Sequence, residues 1–393
     1  MTFTLRPGVT LARAAAMACA AASLVGCAHG GEGLDLRRVT VPGDGEAAPT
    51  PRLEVVWRNA LVPYEPFVWK PLQFSQPQVS PEGDLLVVGT SRGDVVAVDT
   101  FDGQVAWTAH TGARVDAQPV FAGDLVLVGN DDGAMVALGR KDGAERWRHD
   151  TRAEIDGGVT VAEGRALFMN SADEVYALDA ATGKYLWSYG RQMPDYFTLS
   201  NASQPQVRDG VVVAGFADGF MVALQLESGD EIWESDLRNG QTNFTDVDGK
   251  PALVGDWVYG ASHAGGLFGL DAATGQKRWR VEVTGSSTVL VVGDTLYATT
   301  AGRYVMAVDR LTGQILWQFR HRENTPTTPT ILAQYLFYGG SDAGLYVVDR
   351  LSGYPLVHFD PDVGFNSSMV FHGSHAFAFS NGGTLYGFEV VAD

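Results

Sequence analysis

The chain has little cysteine and little positive charge. Its two cysteines, Cys19 and Cys27, both fall within the first 27 of 393 residues. Everything beyond Cys27 therefore has no internal disulfide, and its stability has to come from a buried core. Lysine and arginine number 28 against 46 aspartates and glutamates, a net charge of −18. Such a surface repels polyanions, which argues against nucleic acid as a partner and against adhesion to anionic lipid headgroups. No amphipathic helical period occurs beyond the first 26 residues, so no phosphate loop opening a helix is expected. His372 and His375 flank a turn with no third ligand nearby in sequence, and no metal site is expected there. Gly89-Thr90-Ser91-Arg92-Gly93 matches G-x-S-x-G, but that motif needs a strand-turn-helix setting and here it joins two strand-like runs. No catalytic residue is expected.

What the chain has instead is a repeat. "LDAATGKYLW" at Leu178 returns almost unchanged as "LDAATGQKRW" at Leu270. Aligned on their glycines, seven copies stand at Gly103, Gly143, Gly183, Gly229, Gly275, Gly313 and Gly353, spaced by subtraction at 40, 40, 46, 46, 38 and 40 residues. Each copy has an apolar run such as Asp124–Asn130, a tight turn, a second run such as Ala134–Leu138, and a five-residue turn leading to a short strand. These are strand signals. In the Asp-x-x-Thr-Gly turn, the Asp side chain can bond the backbone ahead and glycine supplies the left-handed conformation. Four strands per unit of about 40 residues describe a β-propeller blade. Tryptophan follows the glycine by four residues in six copies, at Trp107, Trp147, Trp187, Trp233, Trp279 and Trp317. Buried between blades, each would remove about 150–250 Å² from water. These tryptophans are structural.

The seventh copy carries Val357 in place of tryptophan, yet three more strand-like runs follow it. Arg52–Asn59 ("RLEVVWRN") supplies the missing strand and its tryptophan, Trp57, from the other end. Pairing the two ends removes exposed sheet edges. The expected fold is all-β: an eight-bladed propeller of four-stranded antiparallel blades over 53–393, closed by the N-terminal strand.

Residues 1–26 have the charged start and short apolar stretch of a secretory signal, too small-residued for a stable membrane span. Removing them, with Arg6 and Arg13, takes the net charge two units lower. Leu24-Val25-Gly26-Cys27 resembles the bacterial lipobox, which implies lipidation of Cys27, and Ala28 after it implies sorting to the outer membrane, facing the periplasm. Residues 27–52 are rich in Gly, Pro and charge and read as a tether. The membrane contact expected is this anchor only.

Departures from the repeat are where binding loops on a rigid frame belong. The two 46-residue intervals place their surplus in Ser188–Pro205 and Glu234–Pro251. Both join an outer strand to the next inner strand, so they emerge side by side on one face. The first offers Met193, Tyr196, Phe197 and Leu199; the second offers Phe244, Asp246 and Asp248. Aromatic anchors beside carboxylates suit a protein interface. Lying in a loop, both aspartates are expected to tolerate charge reversal.

The repeat resembles that of quinoprotein alcohol dehydrogenases, which bind pyrroloquinoline quinone in eight-bladed propellers. Their chains are longer and many carry adjacent cysteines; this chain has neither that pair nor a recognisable Glu/Asn/Asp calcium set, so no cofactor is expected. Over its whole length the chain resembles the BamB family, propeller lipoproteins of the outer-membrane β-barrel assembly machinery. "FTDVDGKP" at Phe244 resembles that family's Asp-Val-Asp loop, and "FTLSNASQP" at Phe197 its Leu-Ser-Leu-Arg segment. The resemblance implies that Phe197, Leu199, Asp246 and Asp248 contact the periplasmic POTRA domains of the core barrel subunit. Ser200 stands in the family's arginine place, so that charged contact is missing. The resemblance further implies non-catalytic help in inserting outer-membrane proteins, with unfolded barrel chains as a second class of partner. The scaffold alone leaves open an adaptor of another envelope complex, or a quinoprotein remnant with a ligand in its central funnel.

Overall fold

Alternating apolar and β-branched runs pair antiparallel here because each is bounded by a turn it can close. In the computed structural model, which describes residues 49–63, 72–192, 203–321, 324–361 and 363–391, every regular element is a strand. The expected signal, Cys27 and most of the tether lie outside the described residues. Thirty-two strands form eight four-stranded sheets. Blades I to VII span 78–110, 120–150, 160–190, 206–236, 252–281, 286–320 and 330–359. Blade VIII takes Val370–His372, His375–Phe379 and Thr384–Val391 from the C-terminal end and Arg52–Ala60 as its outermost strand. The closing strand pairs with Thr384–Val391 from Arg52↔Val391 to Ala60↔Thr384. Innermost strands touch from blade II through blade VI, and that of blade I touches that of blade VIII, which completes the ring. The G-x-S-x-G match is a hairpin turn inside blade I, between Leu85–Gly89 and Asp94–Asp99.

Blades I to VII turn from the third to the fourth strand through the predicted glycine-ended loop, opened by aspartate in blades I, III, V, VI and VII. In blade I, Asp99 Oδ1 accepts the Phe101 N–H at 2.8 Å, and the Gly103 N–H donates to the Asp99 carbonyl at 2.9 Å. The register then slips by one residue, so Ala97 faces Trp107 while Val98 faces Val105. The same bulge recurs beside Trp147, Trp187, Trp233, Trp279 and Trp317. It rotates each indole out of its own sheet towards the next blade.

There the indole meets a glycine. Trp57, Trp107, Trp147, Trp187, Trp233, Trp279 and Trp317 lie against Gly103, Gly143, Gly183, Gly229, Gly275, Gly313 and Gly353, each in the following blade. A Cβ on any of these glycines would fall 2.5–3.0 Å from ring atoms. All seven glycines have φ between +67° and +75°. Six indoles also donate Nε1–H to a carbonyl of that turn, at Thr100, Arg140, Leu226, Ala272, Arg310 and Arg350, over 2.7–3.0 Å. Trp147 makes the ring contact, but its Nε1 has no hydrogen-bond partner. Trp107, Trp187, Trp233 and Trp317 are buried, whereas Trp57, Trp147 and Trp279 are half-buried.

The missing eighth tryptophan has a physical reason. Blade VIII draws its third and fourth strands from opposite ends of the chain, so it has no turn and no glycine to receive an indole from blade VII. Val357 stands at that joint. A cluster including Leu53, Phe359, Phe365, Tyr386 and Phe388 fills it instead, with Phe359 edge-on to Phe388 at 5.2 Å.

Two glycines of blade IV separate backbone strain from ring contact. Gly210 (φ +74°) has open space where a Cβ would go, while Gly229 (φ +75°) has the Trp187 ring at 2.6 Å. Gly210→Ala is expected to cost about 1 kcal/mol through left-handed strain alone. Gly229→Ala should cost a further 1–3 kcal/mol, roughly, from overpacking. Equal melting temperatures for the two variants would show that the indole contact contributes nothing beyond backbone geometry.

Candidate functional site

Antiparallel alternation sorts the connections onto two rims. Aspartate-glycine turns share one rim with the hairpins that open each blade. The opposite rim carries the turns between second and third strands and the long connections between blades. Both irregular intervals therefore emerge on the rim away from the indole-glycine joints. The strands before them run farther than the sequence reading placed them, to Gly190 and Asp236.

Of the first interval, 193–202 lies outside the described residues, and with it Phe197, Leu199, Ser200, Met193 and Tyr196. Its flanks are fixed. Arg191 donates Nε–H to Asp218 at 2.7 Å and an Nη1–H to Glu234 at 2.8 Å, both on blade IV. Burial works against its charge, but these bonds and one to Tyr189 hold its pKa above the ordinary arginine value. Its guanidinium lies over Phe220, Cζ to centroid 4.6 Å, and Arg238 at the start of the second interval lies over the same ring at 4.7 Å. At the far end, Ser203 Oγ–H donates to the Gly249 carbonyl at 3.0 Å and accepts the Gly215 N–H at 3.2 Å. The two loops are thus joined at both bases.

The second loop is built inward. Val247 is buried and its N–H donates to the Phe216 carbonyl at 3.1 Å; Ser262 Oγ–H donates to the Thr245 carbonyl at 2.9 Å. Asp246 is only 2% exposed, its carbonyl accepting the His263 N–H at 2.9 Å, and Asp248 is half-buried. The expectation that both aspartates tolerate charge reversal is therefore corrected for Asp246: its carboxylate lies inside the loop, where a cation of arginine size has no room. The large apolar group this loop presents to solvent is Phe244, 46% exposed, at φ +53°, beside exposed Gln241, Thr242 and Asn243. Its position beside the Asp-Val-Asp segment was visible in the sequence; its protrusion follows from left-handed backbone that turns the ring outward.

Electrostatics on this rim are set by crowded carboxylates. Asp173, buried in the second turn of blade III, accepts the Ala217 N–H through both oxygens at 3.0 and 3.2 Å. Burial pushes its pKa up to about 7; the Ala217 bond opposes this, and Asp218 and Asp246 add to it. Burial lowers the His263 pKa, with Asp246 pulling the other way. Around the rim, Asp131, Asp132, Arg152, Ala153, Glu154 and Ser171 line an open cleft of about 520 Å³. There burial, with Asp116 close by, raises Asp131 to about 6. Sequence reasoning missed this cleft because an Asp-Asp-Gly turn reads as solvated hairpin. It also missed His321, buried at the blade VI–VII joint with Nε2 2.9 Å from Tyr338 Oη and its pKa lowered by burial to about 4. No group of three or more His, Cys, Asp or Glu side chains among the described residues could hold a metal ion.

Comparison with known proteins gives these features a context. The family described as "Outer membrane protein assembly factor BamB" matches residues 54–135 and 91–319. The outer membrane protein assembly factor BamB of Shewanella oneidensis is 30% identical over 178 residues, 44% of this chain and 45% of that protein. The Kangiella koreensis BamB is 28% identical over 173 residues, 42% of this chain and 44% of its own. The chain thus spans less than half the length of these two relatives. The match to the Yersinia pestis BamB is longer, 24% identical over 319 residues, 79% of this chain and 70% of that one. Among solved structures, BamB from Moraxella catarrhalis superposes with a TM-score of 0.75 at 20% identity, covering 86% of this chain and 99% of that one. Quinohemoprotein alcohol dehydrogenase from Comamonas testosteroni superposes at 0.67 with 14% identity, over 86% and 76%. At those identities both structures speak for the propeller alone.

The raised pKa of Asp173 predicts a pH signature. The folded chain keeps this proton up to about pH 7, whereas an unfolded aspartate loses it near pH 4. Between those values the unfolded state binds fewer protons, so this group removes stability as pH rises. Asp173→Asn keeps an acceptor for Ala217 and has no proton to lose. Relative to wild type it is expected to be on the order of 2–4 kcal/mol more stable at pH 8 and unchanged near pH 4. Denaturant melts at the two pH values check this; a gain independent of pH would contradict it.

Proposed function

The chain belongs to the outer membrane protein assembly factor BamB family, and from that premise we propose that it is a non-catalytic scaffold of outer-membrane protein assembly. Lipidated at Cys27, it would stand on the outer membrane facing the periplasm. It would dock the loop rim onto the periplasmic POTRA domains of the core barrel subunit and so aid insertion of outer-membrane proteins, whose unfolded chains are its second partners.

The observation that carries this reading is the joining of the two irregular loops. The Ser203 tie has a counterpart at Ser75, which donates to the Ala117 carbonyl and accepts the Gly89 N–H, but the stacking of Arg191 and Arg238 on one phenylalanine, Phe220, belongs among the described residues to the two long loops alone. Such a rigid base suits a contact surface, because ordering costs are met before the partner arrives. Phe244 is the exposed anchor of the described part, with Asp248 beside it, and Phe197 and Leu199 complete the proposed contact. Asp246 acts by holding the loop's shape. Binding is the whole mechanism: no bond is made or broken.

Phe244→Asn tests the site without damaging the ring, since asparagine accepts left-handed backbone more readily than phenylalanine. The full-length variant is expected to melt at or above the wild-type temperature and to capture about 30-fold less core subunit from detergent-extracted membranes, the loss of one hot-spot anchor. Mass spectrometry of the captured proteins identifies the partner. Wild-type capture of a different envelope complex would overturn the partner, and undiminished capture by Phe244→Asn would remove this residue from the interface. Asp246→Arg, by contrast, is expected to lower the melting temperature.

A further inference from the structure

Two Asn-Gly pairs occur in the chain, Asn239-Gly240 and Asn381-Gly382, and the structure treats them in opposite ways. An Asn-Gly pair is open to attack of the glycine nitrogen on the preceding side-chain amide, because glycine puts no side chain beside that nitrogen. Asn381 is buried and its amide is held at both ends: Oδ1 accepts the Asn366 N–H at 2.7 Å, and Nδ2–H donates to the Ser341 carbonyl at 2.8 Å. Asn239 is exposed, near the start of the second long loop. It and Gly240 both have left-handed backbone, φ +52° and +80°, as the centre of a type I′ turn requires. One hydrogen bond closes that turn, from the Gln241 N–H to the Arg238 carbonyl at 3.0 Å. The Gly240 N–H itself has no partner among the described residues, and nothing lies within 4 Å of where a Cβ on Gly240 would point.

What faces the Asn239 side chain is Arg280, half-buried on the outermost strand of blade V, Lys277–Val281. Its Nε–H donates to the Gly265 carbonyl at 2.6 Å, which anchors the guanidinium, and among the described residues it makes no ion pair. Both Nη groups point at the Asn239 amide, so the amide oxygen belongs on that side, where it accepts them at 3.1 and 3.2 Å. This oxygen is the atom that becomes an oxyanion when the Gly240 nitrogen adds to Cγ. Two donors already aimed at it stabilise that adduct more than they stabilise the neutral amide. The same fork is the geometry that pairs with a carboxylate through two parallel bonds. Arg280 thus favours both the passage to the acid and the acid itself.

We propose that Asn239 is a self-modifying site, converted by its own chain to an aspartyl residue that pairs with Arg280. Once the turn opens, the Gly240 nitrogen gives its proton to a solvent base and bonds to Cγ. The Cγ–Nδ2 bond then breaks, and the nitrogen takes a proton and leaves as ammonia. Water adds to a carbonyl of the resulting cyclic imide and breaks its C–N bond, leaving a carboxylate at 239 in an aspartyl or isoaspartyl linkage. Amide and water are the only reactants, and ammonia is the only group released. Conversion replaces a neutral contact between the second loop and blade V by an ion pair, and it adds a negative charge to the loop that carries Phe244. The site does not rest on the partner proposed for that rim.

The purified full-length protein, incubated at neutral pH, is expected to accumulate aspartate and isoaspartate at position 239, read by mass spectrometry of its peptides. Conversion should quicken as pH rises, because the attacking nitrogen must lose its proton. Asn381 should stay intact until the protein is denatured, when it converts as well. Arg280→Gln is expected to slow conversion at 239 about tenfold in folded protein, with Asn381 intact as the sign that the fold has held, and to leave the rate in denatured protein unchanged. Asn239→Asp, which keeps a turn that Asp-Gly accepts, should melt above wild type at low salt and lose that gain at high salt. An Asn239 that persists in folded protein while it converts in denatured protein overturns the site. Equal rates in folded Arg280→Gln and wild type overturn the arginine's part, and an Asn239→Asp protein that melts no higher than wild type at low salt overturns the ion pair.

Discussion

The contact of an indole with a glycine in the next blade is what the ring depends on. A four-stranded sheet has two faces to bury and cannot stand alone, so each blade is stable only as far as its neighbours hold it. The contact couples three requirements that neighbouring blades must meet together. The turn must be left-handed, which favours glycine; the space above its Cα must stay empty, which requires glycine; and the preceding blade must carry a bulge that aims its tryptophan there. Because the turn carbonyl also accepts the indole N–H at six of the seven joints, the contact has direction as well as area. Blade spacing and tilt are then set by a rigid bicyclic ring rather than by adaptable aliphatic packing.

The other rim also joins blades, where Val115, Ile155, Val247 and Phe365 of the connections pack over Gly89, Gly129, Gly215 and Gly339 of the preceding blade. Its turns hold carboxylates at a density that raises the pKa of Asp131 and Asp173, a cost no packing requirement explains. Its two long connections are tied together by arginines that share one phenylalanine. What varies between blades, the two long connections and the carboxylate-rich turns, lies on the rim away from the indole-glycine joints.

Much of this was legible in the sequence because the joint writes itself twice per repeat, once as glycine and once as tryptophan four residues on. Even its exception, Val357, could be located from sequence, although the reason for it needed the strand pairing: a blade assembled from two ends has no turn to offer. The loops were legible as surplus length and not as geometry. Asp246 and Asp248 look equivalent in "DVDG", yet one is buried and the other half-buried, because Val247 between them anchors inward and the backbone hydrogen bonds to Phe216 and His263 decide which side chain follows.

The closing strand has a consequence in time. Arg52–Ala60 leaves the ribosome early, while its partner, Thr384–Val391, is the last strand to be made. For most of the chain's synthesis, the outermost strand of blade VIII has no sheet to join, and Trp57 can reach Gly103 only from an unsupported strand. Closing a loop of more than 300 residues carries only a modest extra entropy cost, so the delay is one of availability rather than of search. Until Thr384–Val391 arrives, the protein is an open arc with an unpaired edge at each end, the state in which such chains associate with one another or with whatever meets the edge first. The rate at which the chain is delivered and the shielding of that arc therefore bear on how much of this protein reaches its ring.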